Sequence, residues 1–516
     1  MFILSITSPL VIGSNVNLKP SDKLPTSLDQ PSIIWNKTYG GNLLDWGWSI
    51  SKTSDGGFII GGETASFSAG GFDAFLIKTD SNGDEEWNKT FGGSVKDGCR
   101  AVKQTDDGGY ILAGYADSYG YPGHDYWLIR TDGNGNELWN YTYGGQSSDA
   151  AVSVIQTITG DFVMTGYSYT YTYGSKDVWV VKTDGNGNEL WNHHYGGIGA
   201  EQGMSIVEST DGGYVIAGFT SSFGSGGTDA WLVKIDINGN LEWDRCFGGN
   251  NDDWAGSIDL TLEGGYIISG DTKSYGNGGY DVWMIKTDNN GIEEWNQVFG
   301  DGNCHETGYC IKQTSDGGYI ISGTKFIVDH DNALFIKTDI NGNEEWNMTI
   351  ITNQSDIIYS ICETDYKSYV STGYTYTYGA GDMDIWLLNI GSISNQMPDK
   401  PTIDGKIRGK AGGPYDYTFI STDPDDHDIW YYIEWGDGDV DEWIGSFDSG
   451  EEVVRSHTWE KQGDYTIRAK VKDIYGAESN WGILTVTMPR NQATNNPIFN
   501  FLHQHPIMYQ LLLRFL

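Results

Sequence analysis

The tryptophan that opens Trp35-Asn36-Lys37-Thr38-Tyr39-Gly40-Gly41 returns at Trp87, Trp139, Trp191, Trp243, Trp295 and Trp346, spaced by 52 residues five times and then by 51. No stretch of helix holds such a period. Each unit is cut by Gly-containing turns into short β-rich runs, and a period of about 50 built this way describes a radial or stacked array of small sheets. Composition agrees: 71 Gly against 12 Pro, with 14% aromatic residues, is a turn-rich globular β chain.

The second unit shows the pattern. Asp97 to Thr105 makes a first strand, closed by Asp107-Gly108-Gly109, and Tyr110 to Tyr115 a second. Asp125 to Arg130 makes a third, and the turn Asp132-Gly133-Asn134-Gly135 leads to a fourth, Glu137 to Thr142. The Asp-x-Asn-Gly turns read as hairpin turns; the Gly arrives too early for a calcium loop. Phe75, Trp127, Trp179, Trp231, Trp283, Leu334 and Trp386 mark seven third strands. The seventh unit stops at Ile390 without its fourth strand, while Ile33 to Tyr39 is a fourth strand with no unit before it. The two deficits match. The expected fold is all-β: a seven-bladed β-propeller over residues 32–390, closed when the N-terminal strand joins the last blade.

The chain carries 70 acidic and 31 basic side chains, a formal charge of −39. Such a field repels nucleic acid and anionic membranes and sets both aside as partners. Five cysteines without regular spacing read as small core residues, with a Cys304–Cys310 bridge as the one alternative. Residues 1–14 are apolar and end in small residues like a signal peptide without its basic start, and 15–31 form a linker. No run is long enough for an integral membrane span.

Two acidic sets repeat. One opens each first strand: Asp45, Asp97, Asp149, Glu201, Asp253, Glu306 and Asp356. In a propeller these would ring one mouth of the channel as ligand-binding carboxylates, or else accept backbone N–H groups. The other opens the third strands: Asp73, Asp125, Asp177, Asp229, Asp281 and Asp384, with Asn332 in the sixth unit. An aromatic precedes each of six third strands, at Phe67, Tyr119, Tyr171, Phe223, Tyr275 and Tyr378; these rings would edge the same acidic face as ligand-binding groups, or else help build the units. A ligand site is expected where the units differ, at Trp46, Trp48 and Trp254 and at the loop histidines His124, His305 and His330. No nucleophile elbow, zincin, phosphate-loop or dinucleotide motif occurs. Sequons at Asn36, Asn88, Asn140, Asn347 and Asn353 are glycosylation candidates, or by-products of the fourth-strand motif.

After a linker at 391–400 the pattern changes over 401–488 to short alternating strands of β-sandwich type. Glu434-Trp435-Gly436-Asp437-Gly438, His457-x-Trp459, Gly463-Asp464-Tyr465 and Val471-x-Asp473 resemble a PKD domain, an immunoglobulin-like extracellular module. The resemblance implies a spacer or binding module, and calcium as a possible cofactor held by Asp423, Asp425 and Asp426. The repeats themselves, Thr-x-Asp-Gly-Gly-Tyr-Ile followed by Asp-x-Trp-Leu-Ile-Lys-Thr-Asp, are similar to repeats of secreted archaeal and bacterial proteins. Residues 489–516 form an apolar tail too short to cross a bilayer. The resulting expectation is a secreted or cell-surface protein that binds a glycan, cation or protein ligand and is not an enzyme. The alternatives are a polysaccharide hydrolase or lyase and a structural surface-layer component.

Overall fold

The computed structural model describes residues 31–302, 304–364, 368–391, 396–424, 427–473, 476–488 and 504. The chain divides into two compact units, one ending at Ser392 and one starting at Ile393. Every element named among the described residues is a β-strand, and no helix there is long and apolar enough to cross a membrane.

The first unit holds seven four-stranded antiparallel sheets, numbered here in chain order. Each begins with a leading strand: Asp45–Lys52, Asp97–Gln104, Asp149–Gln156, Glu201–Glu208, Asp253–Leu260, His305–Gln313 and Asp356–Glu363. Six sheets take their strands consecutively. The seventh takes its fourth strand from the other end of the chain: Ser32–Tyr39 pairs antiparallel with Asp384–Gly391, Ile33 facing Ile390 and Tyr39 facing Ile385. Each leading strand packs on the next, and the seventh packs on the first.

Neighbouring sheets share their cores. Ala101, Ile111 and Leu128 of the second sheet pack with Ala151, Phe162 and Trp179 of the third. Tyr39, Ile385 and Leu387 of the seventh pack in the same way with Ile50, Phe58 and Ile77 of the first. The third strands are buried on both faces, as Asp125–Thr131 shows, which is why they read as nearly continuous apolar runs. Six of the seven carry one Lys or Arg, and it is buried too. Lys234 Nζ lies 3.0 Å from Asp211 Oδ2 and 2.8 Å from Glu242 Oε2, and Lys78 repeats the arrangement with Asp55 and Glu86. Burial opposes ionisation of Asp55, but the Thr53 hydroxyl, Lys78 and the Gly57 N–H together hold its carboxyl down to about 2.

All five cysteines are free, so the Cys304–Cys310 bridge does not form. The second unit contains a three-stranded and a four-stranded sheet around Tyr417, Tyr431, Trp435, Trp459 and Val471.

Candidate functional site

One irregularity occurs at the same place in all seven sheets. The pairing of leading and second strands slips between Gly47 and Ser49, Cys99 and Ala101, Ala151 and Ser153, and Gly203 and Ser205. It slips again between Ala255 and Ser257, Gly308 and Cys310, and Ile358 and Ser360. A β-bulge leaves one residue outside the ladder and re-aims its side chain. The seven residues so released are Trp48, Arg100, Val152, Met204, Gly256, Tyr309 and Tyr359, and all seven line one cavity of about 440 Å³. Small residues after the bulge stitch the leading strands together: the Val102 N–H donates to Ser49 Oγ at 3.2 Å and the Ile50 N–H to Ser360 Oγ at 3.3 Å.

The remaining wall comes from the second to fourth sheets: Lys96, Tyr115, His124, Ala150, Ala151, Tyr167 and Gln202. Trp48 stacks on Tyr359 with ring centroids 4.3 Å apart. The Arg100 guanidinium lies 3.9 Å from the Trp48 ring and pairs at 3.2 Å with the buried Glu63. Lys96 Nζ sits 5.4 Å from the Tyr115 ring. Beside the cavity, Lys176 lies 4.9 Å from the Tyr167 ring and bonds Gln202 at 2.5 Å; burial lowers its pKa. His124 packs on Tyr115 at 4.6 Å, and its Nδ1 is 2.5 Å from Asp117 Oδ1. Burial and the Glu63 carboxylate raise the Tyr115 pKa, so the phenol keeps its proton. In a chain of charge −39, two cations, Lys96 and Arg100, line the cavity, and among the described residues no carboxylate lines it.

The expected ring of acids lies elsewhere. Asp45, Asp97, Asp149, Glu201, Asp253, Glu306 and Asp356 are all buried and are spent on the loops. Asp97 accepts the N–H groups of Gly93, Asp117 and Ser118, and Asp253 those of Gly249, Lys273 and Ser274. Asp45, Asp149, Glu201 and Asp356 do the same for their loops, while Glu306 pairs with Lys325 at 3.0 Å. A loop between two strands leaves backbone N–H groups without a ladder partner, and a buried carboxylate satisfies several at once. Of the two readings of these acids, burial and these hydrogen bonds favour the structural one.

The other predicted residues divide. Trp48 and His124 line the cavity. Trp46 does not: it stacks on Phe72 at 4.7 Å and its Nε1 faces Met383 Sδ. Trp254 is 42% exposed and stacks on Phe219 at 4.7 Å. Tyr119, Tyr171 and Tyr275 hold loops together, donating to the carbonyls of Gly92, Gly144 and Gly248. His305 Nδ1 accepts the Tyr280 N–H and His330 bonds the Thr352 carbonyl, so the histidines form no cluster. Reading the first-strand acids missed Arg100, Lys96 and Tyr115, yet the signal was present: these positions differ from unit to unit.

No family model matches the chain. No curated protein matches it either. Among solved structures the chain is similar to the PKD domain of a peptidase from a Thermoplasmatales archaeon, at 55% identity over 19% of this chain and 99% of that one, with a TM-score of 0.19.

In the second unit Asp423 is buried, and Asp425 and Asp426 lie outside the described residues. Asp423 comes together with His427 and Asp473, their candidate ligand atoms all within 4.8 Å. Of the sequons, Asn88, Asn140 and Asn347 use the amide nitrogen a glycan would need, each donating to a glutamate three residues earlier at 2.6 Å. Asn36 and Asn353 are exposed.

Proposed function

We propose that the seven sheets are the blades of a closed seven-bladed β-propeller, that the second unit is a PKD-type immunoglobulin-like module, and that the protein works outside the cell. Its ligand is an acidic saccharide held in the central cavity. The observation that carries this reading is the set of seven bulge residues. Sheet-building positions repeat from unit to unit, whereas the bulge position carries Trp, Arg, Val, Met, Gly, Tyr and Tyr in turn. A position that builds a blade must suit every blade; a position that reads one asymmetric ligand need not.

The chemistry fits a carboxylated sugar. The aromatic rings offer faces to the apolar side of a pyranose, and guanidinium and ammonium groups recognise a carboxylate. The field that sets nucleic acid aside also opposes a long polyanion, so the ligand is a short acidic saccharide whose carboxylate reaches Lys96 and Arg100 in the cavity. The PKD-like module supports placement outside the cell.

Calorimetry of the full chain with oligogalacturonate, alginate oligosaccharides and neutral oligosaccharides of equal length tests the reading. Acidic ligands should bind and weaken with salt. Arg100→Met should cost about 10–100-fold, the range of one charge-assisted hydrogen bond, and Trp48→Ala a similar factor. Equal affinity for neutral and acidic ligands, or unchanged affinity in both variants, would refute it.

A further inference from the structure

We propose that the cavity selects a saccharide carrying a single carboxylate, and that the buried Glu63 sets this limit by offsetting one of the two cations in the lining. This rests on the acidic-saccharide reading and narrows its ligand class.

The two cations are held differently. Arg100 stacks on Trp48 and meets Glu63 Oε1 through one terminal nitrogen at 3.2 Å. Glu63 is fully buried, so solvent screens its charge little and it acts on Arg100 at close range. A guanidinium has five N–H donors; Arg100 therefore keeps donors for a ligand oxygen while its charge is offset. Lys96 has rings for neighbours instead. Its Nζ lies 5.4 Å from the ring centres of Phe72 and Tyr115, and among the described residues no carboxylate pairs with it. Beside the lining, Lys176 and Asp117 carry opposite charges. The wall with Glu63 behind it thus presents one net positive charge, and that charge sits at Lys96. The first carboxylate of a ligand is paired there. A second one in the same cavity meets the field of Glu63 with no cation left to offset it, and in a partly buried space that repulsion exceeds its value in water.

The pair exists at one junction between sheets. Glu63 stands on the second strand of the first sheet, opposite Trp46, and reaches Arg100 on the leading strand of the second. It comes against Gly98, where a Cβ would fall 2.7 Å from Glu63 Oε1 and 2.7 Å from Tyr115 Cε1. The other six units carry Trp46, Ala150, Gln202, Trp254, Thr307 and Ile357 at that position, so the space is made once. The place of Glu63 is taken elsewhere by Tyr115, Tyr167, Phe219, Asp271, Thr324 and Tyr374. The one acid among them, Asp271, precedes a sheet whose bulge residue is Tyr309, not a cation. A buried ion pair adds little stability once desolvation is set against attraction, and six junctions form without one. The role of Glu63 lies at the ligand.

Calorimetry of the full chain with three disaccharides tests this: galactobiose with no carboxylate, galacturonosyl-galactose with one and digalacturonate with two. The parent should bind the singly charged sugar about 10-fold or more tightly than digalacturonate, and likewise than galactobiose. Glu63→Gln keeps the shape and removes the charge; it should raise affinity for digalacturonate about 10-fold relative to the singly charged sugar. Lys96→Met should bring the singly charged sugar to within a few-fold of galactobiose. Each comparison is a ratio of affinities within one protein, so lower stability of the Glu63 variant does not imitate the result, and the parent ratio needs no variant. Digalacturonate bound by the parent as tightly as the singly charged sugar, or an unchanged ratio in Glu63→Gln, overturns the single-carboxylate limit and leaves the acidic-saccharide reading standing. Neither acidic sugar bound more tightly than galactobiose overturns both.

Discussion

Replacing Asp125 with Asn should stabilise the first unit at neutral pH and change little at pH 4. Asp125 is buried and accepts the Tyr121 N–H at 2.6 Å through Oδ2, while Oδ1 has no hydrogen-bond partner among the described residues. Asp149 arrives from the next sheet, and both carboxylates close on Gly144, where a Cβ would lie 2.0 Å from Asp125 Oδ1 and 3.0 Å from Asp149 Oδ2. Burial pushes the Asp125 pKa up to about 6, the Tyr121 N–H opposes that, and the Asp149 and Asp117 charges add to it. A carboxyl whose folded pKa is raised contributes stability that is complete below its unfolded value and is lost as pH rises through about 6. A rise of roughly two pKa units corresponds to ~3 kcal/mol, which solvent screening reduces to ~1–2 kcal/mol. Asn keeps the acceptor for Tyr121 and removes the second charge. Thermal unfolding followed by tryptophan fluorescence should show the variant ~1–3 °C above the parent at pH 7.5 and level with it at pH 4. Asp125→Ala, lacking the acceptor, should be less stable at both. An Asn variant that loses stability at pH 7.5, or shifts equally at both pH values, would refute the argument.

Asp73, Asp177, Asp229, Asp281 and Asp384 share the upward shift, caused first by burial. Parent stability should therefore rise as pH falls from 7.5 to 5, and a melting temperature flat or falling over that interval would count against the paired carboxylates. Deleting residues 31–39 removes the strand paired with Asp384–Gly391 and opens a sheet edge; size-exclusion chromatography should show self-association that grows with concentration, and a monomer of unchanged melting temperature would contradict it. Gly98→Leu should displace Tyr115 and Glu63, weakening acidic-saccharide binding at least 10-fold in calorimetry and, by overpacking a buried site, lowering the melting temperature. Lys234→Met strips two carboxylates of their buried partner, but Asp211 and Glu242 are 59% and 44% exposed, so urea titration should show a loss of only ~1–2 kcal/mol.

The repeat gave the strands, the sheet boundaries and the pairing of Ile33 to Tyr39 with the last sheet from sequence alone, because turn chemistry and two-residue alternation are local properties and a missing strand can be counted. The same regularity left function open. Asp97 and Asp149 recur because each of these sheets needs a buried acceptor for its loop, and recurrence looks the same whether a residue serves the fold or a ligand. Burial separated the two. The cavity was decided by tertiary structure: Trp48, Arg100 and Tyr359 are far apart in the chain, and each reaches it because a one-residue slip in its ladder turns the side chain out of the sheet. A bulge leaves no local sequence mark, since any residue type can occupy it. Its only trace was variation from unit to unit, which showed where Trp48 and His124 differed but not that seven such residues meet around one space.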